Sequence, residues 1–246
     1  MARHLWISSV LAIAGLACSG SGTRPQDGAR DWDNERGRMV AERTRMVDEQ
    51  LRARDIRSAR VLDAMLTVPR HLFVPEPQRA DAYIDSPLPI GHDQTISQPY
   101  IVAFMTQALD VAPEHRVLEV GTGSGYQAAV LGTLAKDVYT IEIVPPLAER
   151  ARETLSALGY RNIQIRTGNG YLGWPEHAPY DRIMVTAAPE DIPATLLQQL
   201  KVGGLMAIPV GTVTQELRIV RRTVTGTETL ATLPVRFVPM TNKPKE

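Results

Sequence analysis

Two carboxylates and a set of glycines, placed where strands should end, are the residues most able to do chemistry in this chain. Glu119-Val120-Gly121-Thr122-Gly123-Ser124-Gly125 reads as a strand running into a glycine loop and then a helix, whose first backbone N–H groups lie near the loop. Glycines there let a ligand approach the backbone. A phosphate cradle, a dinucleotide loop and an S-adenosylmethionine loop compete for this pattern. A phosphate cradle needs Lys-Ser or Lys-Thr after its last glycine, where Tyr126-Gln127 stand, and the third glycine of a dinucleotide loop would fall at Tyr126. Glu119 favours the third reading, because a carboxylate at a strand tip would repel pyrophosphate but pair with the ammonium of a bound amino acid. A tight turn with no ligand stays open as the structural alternative. Glu142, 21 residues after Gly121, stands where an acidic residue can accept hydrogen bonds from ribose hydroxyls. Gly168-Asn169-Gly170 follows a further strand, and the Asn169 oxygen could accept from an adenine amino group while Gly170 admits the ring. Three candidate contacts at three consecutive strand ends support one another.

These residues need a scaffold, and from Arg116 onward the pattern alternates strand and helix, as in a parallel sheet with helices on both faces. Such sheets bind ligands at the carboxyl ends of their strands. Strands are expected at 116–120, 138–142, 163–167, 181–187 and 205–211, helices near 126–134, 146–158 and 192–200, and an antiparallel pair at 216–224 and 230–238. Ahead of the sheet, Val40, Met46, Val47, Leu51, Val61, Leu62, Met65 and Leu66 recur at helical spacing and predict two short amphipathic helices. The proline-rich stretch through Asp81, Ser86, Pro87, Pro89 and Gly91 reads as loop, and a third helix follows Pro99.

Composition narrows the function classes. The 246 residues are 43% hydrophobic, enough for one good-sized core, and 27 basic residues balance 27 acidic ones, which disfavours a nucleic-acid partner. Cys18 is the lone cysteine and no Cys/His spacing matches a zinc site, so no metal is expected. Arg3-His4 ahead of the apolar run Leu5–Ala17 resembles a secretory signal, and residues 19 to 34 read as a flexible linker. A lipidated Cys18 would be the one route to a membrane; export or anchoring stands level with a cytoplasmic location, where the inferred cofactor is made. Residues 1–34 are therefore set apart from the fold, and 35–246 are expected to form one domain with its amino-terminal helices.

Several segments together resemble the protein-L-isoaspartate O-methyltransferase family across most of residues 39–240. They are Val68-Pro69-Arg70 with Phe73-Val74, Leu88-Pro89-Ile90-Gly91, Gln94-Thr95-Ile96-Ser97-Gln98-Pro99-Tyr100, Leu118 through Tyr126, Val185-Thr186-Ala187-Ala188-Pro189, Pro209-Val210-Gly211 and Val235-Arg236-Phe237-Val238-Pro239. The Gln94–Tyr100 stretch is the most diagnostic. The resemblance implies a seven-stranded, Rossmann-like S-adenosylmethionine-dependent methyltransferase sheet with an amino-terminal helical extension. It implies methyl transfer to the free carboxylate of isoaspartyl residues in damaged proteins and peptides, initiating repair. Cofactor binding would fall to Glu119, Gly121, Gly123, Gly125, Glu142, Asn169 and Gly170, catalysis to Ser97, and substrate binding to Thr95, Ile96 and Gln98. Asn169 departs from the family, which usually has aspartate between these glycines. An isoaspartyl carboxylate is already an anion at neutral pH, so no strong general base is needed. Ser97 would then orient the carboxylate by a hydrogen bond, with a helix cap before Pro99 as its other possible role. A methyltransferase for another acceptor, or a noncatalytic cofactor-binding envelope module, remain as alternatives.

Overall fold

The computed structural model describes residues 27–242, with side chains from Arg36 onward. The signal-like run, Cys18 and the first part of the expected linker lie outside the described residues. The chain divides into two units at Arg36 and Gly37, and of the first only the opening turns of helix α1 (Asp27–Arg45) are described. Those turns fall largely in the stretch expected to be linker: Ala29 and Arg30 there carry helix propensity, while its polarity suggested loop.

In the second unit α1 ends on Arg43 and Arg45, whose charges suit a helix carboxyl terminus, and passes into a π-helical turn, Met46–Arg52, that buries Met46, Val47 and Leu51. Helix α2 (Ala59–Thr67) starts at Ser58, whose hydroxyl accepts from the Val61 N–H, and buries Val61, Leu62, Ala64 and Met65 before Pro69 stops it. The stretch expected to be loop closes instead as a hairpin, β1 (Leu88–Gly91) with β2 (Gln94–Ile96). Its breakers are compatible with pairing: Pro89 sits in a two-stranded ribbon where one side of each strand needs no partner, and Leu88 and Ile90 are buried in alternation with it. His92 and Asp93 form the turn with φ of 54° and 55°, the left-handed pair that a two-residue hairpin requires.

Helix α3 (Pro99–Ala108) leads into a seven-stranded sheet of order β5-β4-β3-β6-β7-β8-β9. The strands are β3 (Arg116–Val120), β4 (Asp137–Glu142), β5 (Ile163–Thr167), β6 (Tyr180–Val185), β7 (Leu200–Val210), β8 (Gln215–Arg222) and β9 (Thr227–Val235). Those from β5 to β7 in the sheet order run parallel, β8 is antiparallel to β7, and β9 is antiparallel to β8. The last strand lies three residues earlier than the expected 230–238, because the turn closes tightly between Thr223 and Gly226. That shift leaves Arg236–Met240 outside the sheet and free to line the site. Helices α4 (Tyr126–Gly132), α5 (Pro145–Ala157) and α6 (Ala194–Gln199) flank the sheet. Val117 and Val138 join one apolar cluster with α2 to α5, while Leu118, Val120 and Ile141 join another with α6, so alternation along the central strands feeds both cores. Strand order reverses at β3, which has β4 on one side and β6 on the other; the crevice at its carboxyl end is where such sheets bind ligands.

Candidate functional site

At that crevice the glycine loop folds over the end of β4, with the N–H groups of Gly121 and Thr122 both donating to the Ile141 carbonyl at 2.8 and 3.2 Å. Gly121 holds φ of +100° and a Cβ there would collide with the Thr186 hydroxyl, which donates to the Val120 and Gly121 carbonyls. Over the loop lies a cavity of about 230 Å³. Its walls are the hairpin turn His92–Thr95, the loop at Gly121 and Gly123, the end of β4 from Ile141 to Val144, Gly170, Thr186-Ala187 and the Val238–Thr241 segment.

Glu142 faces this cavity and is 5% exposed. Its Oε2 accepts from the Gly123 N–H at 2.7 Å and its Oε1 from the Val144 N–H at 2.9 Å, so one carboxylate fixes both the loop and the start of α5. Burial pushes its pKa up, against the backbone N–H groups that favour the anion. Each oxygen keeps a lone pair for a further donor. Gly170 is also on the wall, and a Cβ there would strike Val120.

Other expected contacts are placed differently. Glu119 is wholly buried and absent from the cavity wall. Alternation along β3 sends Val120 to the cavity side and Glu119 to the opposite face, under the loop, so no ligand ammonium can pair with it directly. There it accepts from the Thr140 hydroxyl at 2.5 Å, and burial lifts its pKa to about 8. Gly125 is not on the wall either: at φ +88° it begins α4 and packs on Ala151 and Leu155 of α5. Asn169 stands behind the wall and uses Oδ1 to accept from the Tyr171 N–H at 2.9 Å, capping the 3-10 turn Gly170–Leu172. An amide serves that cap as well as a carboxylate does.

The segment expected to handle the acceptor runs among three spaces. Thr95 borders the cofactor-side cavity, a small recess beside α3 and α4, and an open groove. Ser97 borders the recess and the groove, Ile96 the recess, and Gln98 the groove. Across the groove lie Leu233–Pro239, with Arg54 and Tyr100 on the near side. Thr186 adjoins all three spaces and was not anticipated; its position at the carboxyl end of β6, next to the reversal at β3, is the signal that marks it. Among the described residues, no three His, Cys, Asp or Glu side chains gather to hold a metal.

Ser97 does not cap α3. Gln98 occupies the cap position without a side-chain bond, and the Tyr100 N–H donates instead to Asp85 Oδ1 at 3.0 Å. Asp85 Oδ2 pairs with Arg54 at 2.9 Å, and that guanidinium lies 3.3 Å from the Tyr100 ring centre. The Ser97 hydroxyl has no hydrogen-bond partner among the described residues. Asp85→Ala is expected to lower stability by about 1 kcal/mol, as loss of a helix cap does, whereas Ser97→Ala leaves stability unchanged. Urea unfolding of both variants checks this.

The family model for protein-L-isoaspartate(D-aspartate) O-methyltransferase (PCMT) matches residues 41–245. A protein-L-isoaspartate O-methyltransferase from Gloeobacter violaceus is 57% identical over 204 residues, covering 82% of this chain and 100% of that one. One from Opitutus terrae is 58% identical over 205 residues, covering 82% and 88%. Among solved structures, a protein-L-isoaspartate O-methyltransferase superposes with a TM-score of 0.76 at 28% identity, covering 82% of this chain and 67% of that one. A Plasmodium falciparum structure, described as a protein-L-isoaspartate O-methyltransferase beta-aspartate methyltransferase in complex with S-adenosyl-L-homocysteine, superposes with a TM-score of 0.69 at 26% identity over 80% of this chain and 97% of its own.

Proposed function

The chain belongs to the protein-L-isoaspartate(D-aspartate) O-methyltransferase family, and from that premise we propose that it methylates the free carboxylate of isoaspartyl residues in damaged proteins and peptides, initiating their repair. The observation that carries this reading is the position of Thr95–Ser97 between the cavity over the glycine loop and an open groove, so that a donor on one side and a chain-borne acceptor on the other can meet. The cavity residues suit S-adenosylmethionine: Glu142 offers acceptor lone pairs for ribose hydroxyls, and Gly121, Gly123 and Gly170 leave room beside the backbone for the rest. When bound, that cofactor supplies an electrophilic methyl group on a sulfonium.

The protein then has three tasks. Glu142 and the loop hold the donor side, as described. The Ser97 hydroxyl donates to the acceptor carboxylate and aims one oxygen along the transfer line. The β1–β2 hairpin, whose turn closes the cavity, keeps water away from the reacting atoms. No side chain has to remove a proton, which agrees with the lack of a histidine or carboxylate beside Ser97 in the recess. The open form of the groove favours a peptide over a small acceptor, for which an enclosed pocket would be expected.

Paired peptides that differ only in an isoaspartyl or normal aspartyl linkage test the assignment, with labelled S-adenosylmethionine as donor. Methylation of the isoaspartyl peptide alone is expected. Equal labelling of both would remove the specificity and leave a general carboxyl methyltransferase.

A further inference from the structure

Glu119 has no task in the methyl transfer, yet it is an ionisable group wholly removed from solvent. Its side chain is fully buried, and Oε1 has no hydrogen-bond partner. Oε2 accepts a hydrogen bond from the Thr140 hydroxyl at 2.5 Å, and Thr140 Oγ1 lies 2.6 Å from Thr122 Oγ1, so two hydroxyls join the carboxyl group to the glycine loop. Nothing around it supplies a compensating cation. From β4 come Thr140 and Glu142, the second of which repels its charge, and β6 contributes the paired Met184. Helices α3 and α4, which pack over this face of the sheet, contain no acidic or basic residue.

A carboxylate this isolated is costly, and with a pKa of about 8 Glu119 is mostly protonated at neutral pH. The hydroxyl chain consequently has two polarities. With Glu119 ionised, Thr122 donates to Thr140 and Thr140 to Glu119, which leaves lone pairs on Thr122 toward the recess it borders, a space that shares Gly121 and Gly123 with the cofactor-side cavity. With Glu119 protonated the chain can reverse, and Thr122 then points a proton toward that recess. The first polarity suits a cationic ligand at the loop, and the second a neutral one.

Resting on the cofactor assignment above, we propose that Glu119 is a positioning residue that reads the charge of the bound ligand: it releases its proton when the sulfonium donor occupies the loop and keeps it when the thioether product does. The proton leaves to buffer as the ligand's positive charge takes its place. Donor and product differ by one methyl group and one charge at sulfur, and a buried carboxylate without a counter-ion responds to that charge through a medium of low dielectric. Its consequence is preference for donor over spent product, growing with pH. Ionisation is already complete above the ligand-free pKa, so the gain in donor affinity runs up to about pH 8 and stops there.

Calorimetric titration at pH 7 in two buffers of different ionisation enthalpy counts the protons exchanged. The ligands are S-adenosylmethionine and S-adenosylhomocysteine, and the proteins are wild type and Glu119→Gln. Wild type is expected to release about half a proton or more with the donor beyond what it releases with the product, and its donor affinity to climb by up to about tenfold per pH unit between roughly pH 6 and 8. In Glu119→Gln, which can still accept from Thr140, both effects should vanish while the product still binds. Titration of the ligands' own amino groups is common to both proteins and cancels between them. If Glu119→Gln does not fold, Thr140→Val serves in its place, since loss of the hydroxyl that favours the anion should shrink the proton release. An equal donor-minus-product proton count in wild type and the variant overturns the proposal and leaves the cofactor assignment standing. A wild type that binds neither ligand overturns the assignment itself.

Discussion

Glu142→Ala is expected to weaken binding of S-adenosylhomocysteine by roughly 2 to 4 kcal/mol, which is about thirty-fold to several hundred-fold in affinity. The figure comes from two charge-assisted hydrogen bonds that Glu142 would offer to ribose hydroxyls. A further loss is built into the loop, because the same oxygens hold the N–H groups of Gly123 and Val144. Glu142→Gln separates these contributions. Its amide oxygen can replace one acceptor, but its NH2 group then faces the other backbone N–H, donor against donor. The Gln variant is therefore expected to bind nearly as weakly as the Ala variant, although it is almost isosteric with the natural residue. Turnover at saturating cofactor should fall far less than affinity in both, since neither change touches the methyl acceptor. Unchanged affinity in folded Glu142→Ala would remove this residue from the site.

Periodicity made the sheet legible before any coordinates, because strands β3 and β4 are buried on both faces and read as short apolar runs bounded by Gly and Pro. Glu142 could be placed for the same reason: a strand end is a defined point in this architecture. What escaped was direction. Whether the last acidic residue of β3 faces the ligand or the core depends on a phase of one residue, and it is Val120 that lines the cavity while Glu119, expected there, is buried away from its wall. The β1–β2 hairpin escaped because Pro89 and Gly91 signal breaks in a central strand but are tolerated in a ribbon with free edges. Gly125 looked like its neighbours in the loop, although contact with Ala151 and Leu155 of α5 is what constrains it. Asp85 as the cap of α3 was illegible locally, being 15 residues away from the N–H it accepts. Such contacts become visible only once the chain is folded.

Ser97→Ala is expected to slow methyl transfer by about tenfold to somewhat over a hundredfold while leaving affinity for S-adenosylhomocysteine nearly intact. A hydrogen bond to a charged group is worth roughly 1.5 to 3 kcal/mol, and each 1.4 kcal/mol or so lost from transition-state stabilisation is tenfold in rate. Ser97 borders the recess and the open groove but not the cofactor-side cavity, which is why binding and rate should separate. A structural role predicts otherwise, and the geometry already argues against it: Asp85 accepts from the first free N–H of α3, so removing the hydroxyl costs the helix nothing. A covalent role also predicts otherwise. An obligatory nucleophile has no residual pathway when deleted, and it needs a base within reach, whereas the recess around Ser97 is lined by apolar residues of α3, the glycine loop and neutral polar side chains, with no His, Lys or carboxylate. The decisive measurement is turnover on an isoaspartyl peptide at saturating cofactor, beside thermal unfolding and titration with S-adenosylhomocysteine. Wild-type turnover in the Ala variant would exclude the hydroxyl from catalysis, and a methylated or acylated Ser97 trapped in the natural enzyme would replace direct transfer with a two-step route.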